Sequence, residues 1–360
     1  MFNNIYKGKK VFLTGHTGFK GSWLSLWLTQ LGAQVCGYSL TPATKPSMFK
    51  DLHIENHIAH SIIGDILDEK NLETTIQSFQ PDIVFHLAAQ PLVRQSYTEP
   101  ILTYKTNVMG SLYVLEYSRR CPSVKAFVNV TTDKCYANHA NNHIYREEDP
   151  LGGYDMYASS KACVEMMSSS FRQSFLHAKD TMALATARAG NVVGGGDWAS
   201  DRLVPDCIRA LFNHLPIEIR NPLAIRPWQY ILEPLSGYLL LGQKLLEDGK
   251  KYAESFNFGP NQTDTYNVIE VAQKIVKNYG QGTIVTHQRK DFHEDHALLL
   301  DIRKAAQLLN WTPTYTLTQA LAETVEWYKH FYQQDINMLS FTIQQIENYE
   351  EILQTKHKYS

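Results

Sequence analysis

The sequence predicts an α/β chain built on a doubly wound parallel sheet, followed by a smaller part of mixed α/β structure. Two observations carry that reading. Short apolar runs bounded by turn residues alternate with helix-length amphipathic segments up to about residue 190, and a set of glycines closes the first run and opens the first helix.

In order, the runs are V-F-L (11–13), Q-V-C-G-Y (34–38), S-I-I-G-D (61–65), I-V-F-H-L (83–87) and A-F-V-N-V (126–130), with Met182 to Ala187 as a sixth. The segment after the first run carries Leu24, Trp27, Leu28 and Leu31 on one side, and a further helix is expected from about Tyr157 to Phe175. Beyond Asn191 the pattern loosens into G-G-G-D-W (194–198), short strands and helices that include Asn267–Tyr279 and Leu317–Phe331. Residues Ser340–Ser360 read as one more helix fading into a polar tail. The expected domains are therefore 1–190, a Rossmann-type dinucleotide-binding domain to which later segments return; 191–340, mainly substrate-binding; and 341–360, a terminal helix and tail.

Composition narrows the function. Across 360 residues, 34 Lys+Arg nearly balance 36 Asp+Glu and no long charged block occurs, which excludes nucleic acid and membrane as main partners and favours a small-molecule substrate. Five cysteines (Cys36, Cys121, Cys135, Cys163, Cys207), none in C-x-x-C spacing, read as reduced thiols rather than a disulfide framework or zinc site. With no signal-like N-terminus and no apolar run of membrane-spanning length, a cytoplasmic location is expected. H-E-D-H (293–296) lacks the H-E-x-x-H spacing and a third ligand, so no metal is expected.

K-K-V-F-L-T-G-H-T-G-F-K-G-S-W-L places Gly15, Gly18 and Gly21 between the first strand and its helix. Such glycines permit a tight turn, close approach of backbone to pyrophosphate and close helix–sheet packing, with the phosphates facing the helix N-terminus. The second strand ends at Ser39 instead of an acidic ribose ligand, which leaves NAD and NADP open from this turn alone; without an arginine there to pair a 2′-phosphate, the reading favours NAD. Asp65, ending the third strand, is either a partner of the adenine amino group or a cap for the D-E-K-N-L helix.

Y-A-S-S-K puts Tyr157 and Lys161 on one helix face. Lys161, together with the positive ring of an oxidised nicotinamide, is expected to bring the phenol from its reference near 10 toward neutrality, so that it can take a hydroxyl proton. His86 is expected to be a satisfied histidine, and Cys135 structural.

G-H-T-G-F-K-G (15–21), H-L-A-A-Q (86–90), T-T-D-K (131–134) and Y-A-S-S-K (157–161) together resemble the extended short-chain dehydrogenase/reductase family of nucleotide-sugar enzymes. The similarity continues through A-L-L-L-D-I-R-K-A (297–305) and N-W-T-P (310–313), so it covers nearly the whole chain. A-A-Q-P-L-V-R-Q-S-Y, T-T-D-K-C-Y and R-P-W-Q-Y-I-L-E-P-L-S-G-Y resemble the family's 4,6-dehydratase branch. The resemblance implies a tightly held NAD and a CDP-glucose substrate. It places Gly15, Thr17, Gly18, Phe19, Lys20, Gly21, Asp65, Ile66, Leu87, Ala88, Ala89 and Gln90 at the cofactor, with Tyr157 and Lys161. It makes Thr132 a partner of the 4-oxygen, Asp133 the acid at the C6 hydroxyl and Lys134 the group acting at C5, where related dTDP-glucose dehydratases carry a glutamate. Asn191 and Arg226 match diphosphate-holding positions, Arg202 and Glu294 are further substrate contacts, and Arg94 lines the sugar pocket or a subunit contact. A homodimer or homotetramer is implied, packed through helices near Pro100–Tyr117 and Tyr157–Phe175. A nucleotide-sugar 4-epimerase and a non-catalytic NAD-sensing scaffold are the competing functions; Asp133 and Lys134 count against the first, and the intact Tyr157 and Lys161 against the second.

Overall fold

The computed structural model describes residues 2–137, 143–176, 182–286 and 298–358. Its centre is a seven-stranded sheet. In chain order the sheet strands and larger helices are β1 (Lys10–Thr14), α1 (Phe19–Gln30), β2 (Gln34–Ser39), β3 (His60–Ile63), α2 (Glu69–Phe79), β4 (Ile83–His86), α3 (Ser111–Arg119), β5 (Ala126–Val130), α4 (Met156–Phe175), β6 (Ala183–Ala189), α5 (Leu203–Phe212), α6 (Leu232–Asp248), β7 (Ser255–Phe258), α7 (Val268–Tyr279), α8 (Leu317–Gln333) and α9 (Met338–Lys358). The spatial order is β7-β6-β5-β4-β1-β2-β3, every pairing parallel. Strand order reverses between β1 and β4, which is where such a sheet opens a ligand crevice at its carboxyl edge.

Parallel strands covered by helices on both faces read as continuous apolar runs, and β5 is buried at all five positions. Successive side chains enter opposite layers: Val11, Leu13, Ile83 and Phe85 join one core, Phe12 and Val84 the other. The first core holds α1, α6 and α9; the second holds α2, α3 and Phe171 of α4.

Two departures from expectation have physical causes. Helix α1 is buried from Gly21 to Leu28 rather than on one side, because α9 covers its outer face: Ile346, Tyr349 and Leu353 are buried, and Trp27 donates to Glu350 at 2.6 Å. The C-terminal residues are thus a docked 21-residue helix instead of a fading tail. Segments α6 and β7, which follow residue 191, return to the central layers, and β7 extends the sheet beside β6. Among the described residues, no helix is long and apolar enough to cross a membrane.

Candidate active site

A cleft of about 1100 Å³ runs over the carboxyl ends of the sheet strands. One half is made by the glycine turn. Gly15 has φ +78°, and a Cβ there would stand 2.8 Å from the Ala88 nitrogen; a Cβ on Gly21 would stand 2.0 Å from the Gly15 carbonyl oxygen. Both positions exclude any side chain, and the turn leaves Gly18 as an N-cap with no side-chain cap, so α1 points its first amides at the cleft. Thr17, Gly18, Phe19, Lys20, Ile66, Leu87, Ala88 and Ala89 line the same half.

Asp65 also lines it, with Oδ1 accepting from the Leu67 amide at 2.9 Å. It does not cap the following helix: Asp68 does, accepting from Asn71 at 3.2 Å. Gln90 departs from expectation as well. It is buried off the cleft, its amide spent on the backbone of Leu92 and on Thr103 at 2.9 Å, while Asn107 brackets its backbone. Its work is to shape the loop after β4. His86 is satisfied by Thr14 at 2.7 Å and Ser111 at 2.8 Å, and burial holds it neutral with a pKa of about 3.

The other half collects the residues with acid–base chemistry. Asp155 caps α4 by accepting from Ala158 at 2.8 Å, which sets Tyr157 in the first turn and Lys161 one turn later. Thr132, Asp133 and Lys134 leave β5 directly opposite, and all five side chains line the cleft. The Thr132 hydroxyl bonds Asp133 Oδ1 at 3.0 Å and contacts the Tyr157 phenol. Asp133 is buried, which raises its pKa against the opposing pull of Lys134, Thr132 and Lys20. A raised carboxyl is suited to donating a proton.

The expected acidification of Tyr157 is not supplied by the chain's own groups. Burial pushes the phenol up to about 12, the Thr132 bond and Arg202 opposing it and Asp133 adding to it. Lys161 instead donates to the Val130 carbonyl at 3.2 Å, and burial brings its own pKa down to about 8 against the attraction of Glu165. Cys135 is fully buried with its thiol pushed well up by burial, a structural residue.

Asn191, Arg202, Arg226 and Arg94 line the remaining wall. Arg202 is held by buried Asp197 at 2.8 Å, Arg226 lies on a short strand paired with Tyr266, and Arg94 reaches Asp201 at 2.6 Å. Glu294 and the H-E-D-H stretch lie outside the described residues; among those described, no cluster of three or more potential metal ligands occurs.

Sequence reasoning missed two contributors, Gly190 and the Glu165–Arg188 pair. Gly190 leaves room for the Asp133 carboxyl, since a Cβ there would stand 2.7 Å from Oδ2; the signal was a glycine directly after an apolar strand. Lys20, expected at the cofactor, extends past the turn toward Tyr238, 3.5 Å from its hydroxyl, and is brought down to about 8 by burial and by Arg202, with Asp133 opposing. Glu165 and Arg188 form an ion pair beneath the site at 2.9 Å; their signal was two charges in otherwise apolar stretches.

A family model described as GDP-mannose 4,6 dehydratase matches residues 12–324. The chain is 47% identical over 351 residues to CDP-glucose 4,6-dehydratase of Salmonella typhimurium, covering 96% of this chain and 97% of that protein. It is 25% identical to dTDP-glucose 4,6-dehydratase of Xanthomonas campestris, covering 88% and 92%. Among solved structures, an epimerase from Methanothermobacter thermautotrophicus superposes with TM-score 0.80 at 25% identity, covering 92% and 96%. dTDP-glucose 4,6-dehydratase of Bacillus anthracis, solved with NAD, shares the fold with TM-score 0.75 at 23% identity, covering 89% and 97%.

Proposed function

The chain belongs to the GDP-mannose 4,6-dehydratase family, and on that premise we propose that it is a CDP-glucose 4,6-dehydratase, a hydro-lyase that converts CDP-glucose to CDP-4-keto-6-deoxyglucose in deoxysugar biosynthesis. The observation that carries the reading is the convergence of Thr132, buried Asp133 and Lys134 on Tyr157 and Lys161 in one cleft. A 4-epimerase has no need of an acid and a second base after the threonine, and a sensing scaffold has no need of either pair.

The cleft fits NAD. Gly15 and Gly21 allow a tight turn that any Cβ would force open, the α1 amides face the cleft, and the wall at the end of β2 is Ser39, Leu40, Thr41 and Ala43, with no cation among the described residues lining it for a 2′-phosphate. Gly15, Thr17, Gly18, Phe19, Lys20, Gly21, Asp65, Ile66, Leu87, Ala88 and Ala89 would hold it. When bound, NAD supplies a hydride acceptor for C4 of the sugar and the donor that restores the hydride at C6.

The chain's residues move the protons. Tyr157 takes the proton of the C4 hydroxyl while Thr132 hydrogen-bonds the 4-oxygen. Thr132 and Arg202 pull the phenol down against burial, Asp133 and Asp155, and the positive nicotinamide of bound NAD would add to that pull. The 4-ketone acidifies C5–H, Lys134 acts at C5, and Asp133 protonates the departing C6 hydroxyl from its raised pKa. Asn191, Arg202 and Arg226 hold the nucleoside diphosphate. Residues 1–190, with α6 and β7, constitute the NAD-binding domain, and 191–340 mainly the nucleotide-sugar domain.

Free thiols at all five cysteines support a cytoplasmic location. Exposed Ile101, Met109, Met156 and Met166, on and beside α4, support a homodimer packed through that face. The function is tested by incubating the protein with CDP-glucose, dTDP-glucose, UDP-glucose and GDP-mannose and measuring the alkaline absorbance of a 4-keto sugar. Turnover of CDP-glucose in preference to the others is expected; its absence refutes the reading.

A further inference from the structure

Beneath the cleft, outside the groups that touch substrate, lies a buried charge pair that the chemistry above does not use. Glu165 and Arg188 are 1% and 3% exposed at their side chains and meet at 2.9 Å. Burying two charges is costly unless hydrogen bonds compensate them, and here both side chains are bonded in part to residues that flank the acid–base segment, although the Arg188 Nε has no partner among the described residues. Glu165 accepts from Thr131, from Thr186 at 2.7 Å and from Ser255 at 3.2 Å. Arg188 donates to the Tyr136 hydroxyl at 2.7 Å and the Glu147 carbonyl at 3.0 Å, with its guanidinium over the Tyr136 ring at 4.9 Å.

Thr131 and Tyr136 are the residues that bracket Thr132, Asp133, Lys134 and Cys135. Glu165 stands one helical turn beyond Lys161 on α4. One ion pair therefore grips both ends of the acid–base segment and the helix carrying Tyr157 and Lys161, while Tyr136 is tied onward to Asn257 at 2.7 Å. We propose that Glu165 and Arg188 are positioning residues that set the Thr132–Lys134 segment against Tyr157 and Lys161, with Glu165 also holding Lys161 in its ammonium form.

The groups facing Lys161 support the second role. They are Tyr157 and Glu165 on its own helix, the Cys135 thiol after β5, Lys20 of α1 and His86 of β4. Burial keeps the thiol and the imidazole neutral. Glu165 itself stays ionised, since Arg188 and the Thr131 and Thr186 hydroxyls outweigh the upward push of burial. It is the one carboxylate among those groups.

The inference rests on the dehydratase reading, so wild-type enzyme with CDP-glucose is measured alongside; no turnover by wild type refutes that reading, not this one. Glu165→Gln keeps the side-chain volume and removes the charge. Lys161 then releases its proton at lower pH, and the alkaline limb of kcat should move down by about one pH unit or more. After correction for the folded fraction, kcat should fall roughly tenfold or more with KM little changed. Tyr136→Phe frees only the downstream end of the segment. It should slow C5 exchange and loss of the C6 hydroxyl more than C4 oxidation, leaving the alkaline limb in place. If Glu165→Gln does not fold, Tyr136→Phe decides by itself. An unmoved alkaline limb in Glu165→Gln, or equal slowing of C4 oxidation and elimination in Tyr136→Phe, overturns the proposal and leaves the pair a stabilising contact only.

Discussion

Gly190→Ala offers a perturbation aimed at one atom of the site. The added Cβ would lie 2.7 Å from Asp133 Oδ2 and 3.3 Å from its Cγ, with the Pro227 oxygen next at 3.8 Å. Restoring an ordinary contact near 3.4 Å moves the carboxyl by about 0.7 Å. Backbone conformation is no obstacle, because Gly190 is not among the positive-φ glycines. Replacing glycine at a compatible position stabilises by about 0.4–1 kcal/mol through the unfolded chain, offsetting part of the local strain, so Tm should shift by only a few degrees. Catalysis should respond far more. A misplacement of about 1 Å can cost a factor on the order of 10², so a loss of roughly 10- to 100-fold in kcat is expected, concentrated in the step that needs Asp133 as acid. The assay follows 4-keto product formation beside solvent deuterium exchange at C5. Exchange should survive while loss of the C6 hydroxyl slows. A variant with wild-type kcat would show that the Asp133 carboxyl is not held where the acid must stand, and would refute the assignment.

Tyr157→Phe keeps the ring and removes the phenol, and should lower kcat by a factor on the order of 10² or more with little change in KM; near-normal turnover would make Tyr157 structural. Lys134→Met should permit C4 oxidation but abolish C5 exchange, whereas Asp133→Asn should retain exchange and fail to lose the C6 hydroxyl, both read by mass and NMR of the nucleotide sugar. Equal, full loss of C4 oxidation in both would mean the two residues organise the site as a unit. Ile101→Asp places a charge on the exposed apolar face beside α4 and should yield a monomer by analytical ultracentrifugation; an unchanged assembly would place the interface elsewhere.

Much of the architecture was legible because parallel strands buried on both faces have to be short apolar runs, and β1 to β6 appear where those runs lie. The glycine turn was legible for a similar reason: only residues without a Cβ fit at Gly15 and Gly21. What escaped was set by partners distant in sequence. Nothing local in W-L-S-L-W shows that α9, more than three hundred residues on, covers α1, as the Trp27–Glu350 bond does. Gln90 follows the A-A that lines the cleft, yet its side chain turns to Thr103 because Asn107 holds its backbone. The phenol of Tyr157 was expected to be acidified by Lys161, one turn away, together with the positive ring of an oxidised nicotinamide. Helical spacing gives the shared face but not the direction of the ammonium, which the carbonyl of Val130 captures. The Glu165–Arg188 pairing escaped for the same reason: each charge shows in sequence only as a charge in an apolar stretch, and the helix residue Glu165 finds its partner on a strand.

The central claim is that a single site oxidises C4, eliminates across C5 and C6, and restores the same hydride at C6. CDP-glucose carrying deuterium at C4 tests it most directly. The account predicts product with deuterium at C6 and no net accumulation of free NADH; label in bulk NADH or lost to solvent would contradict it.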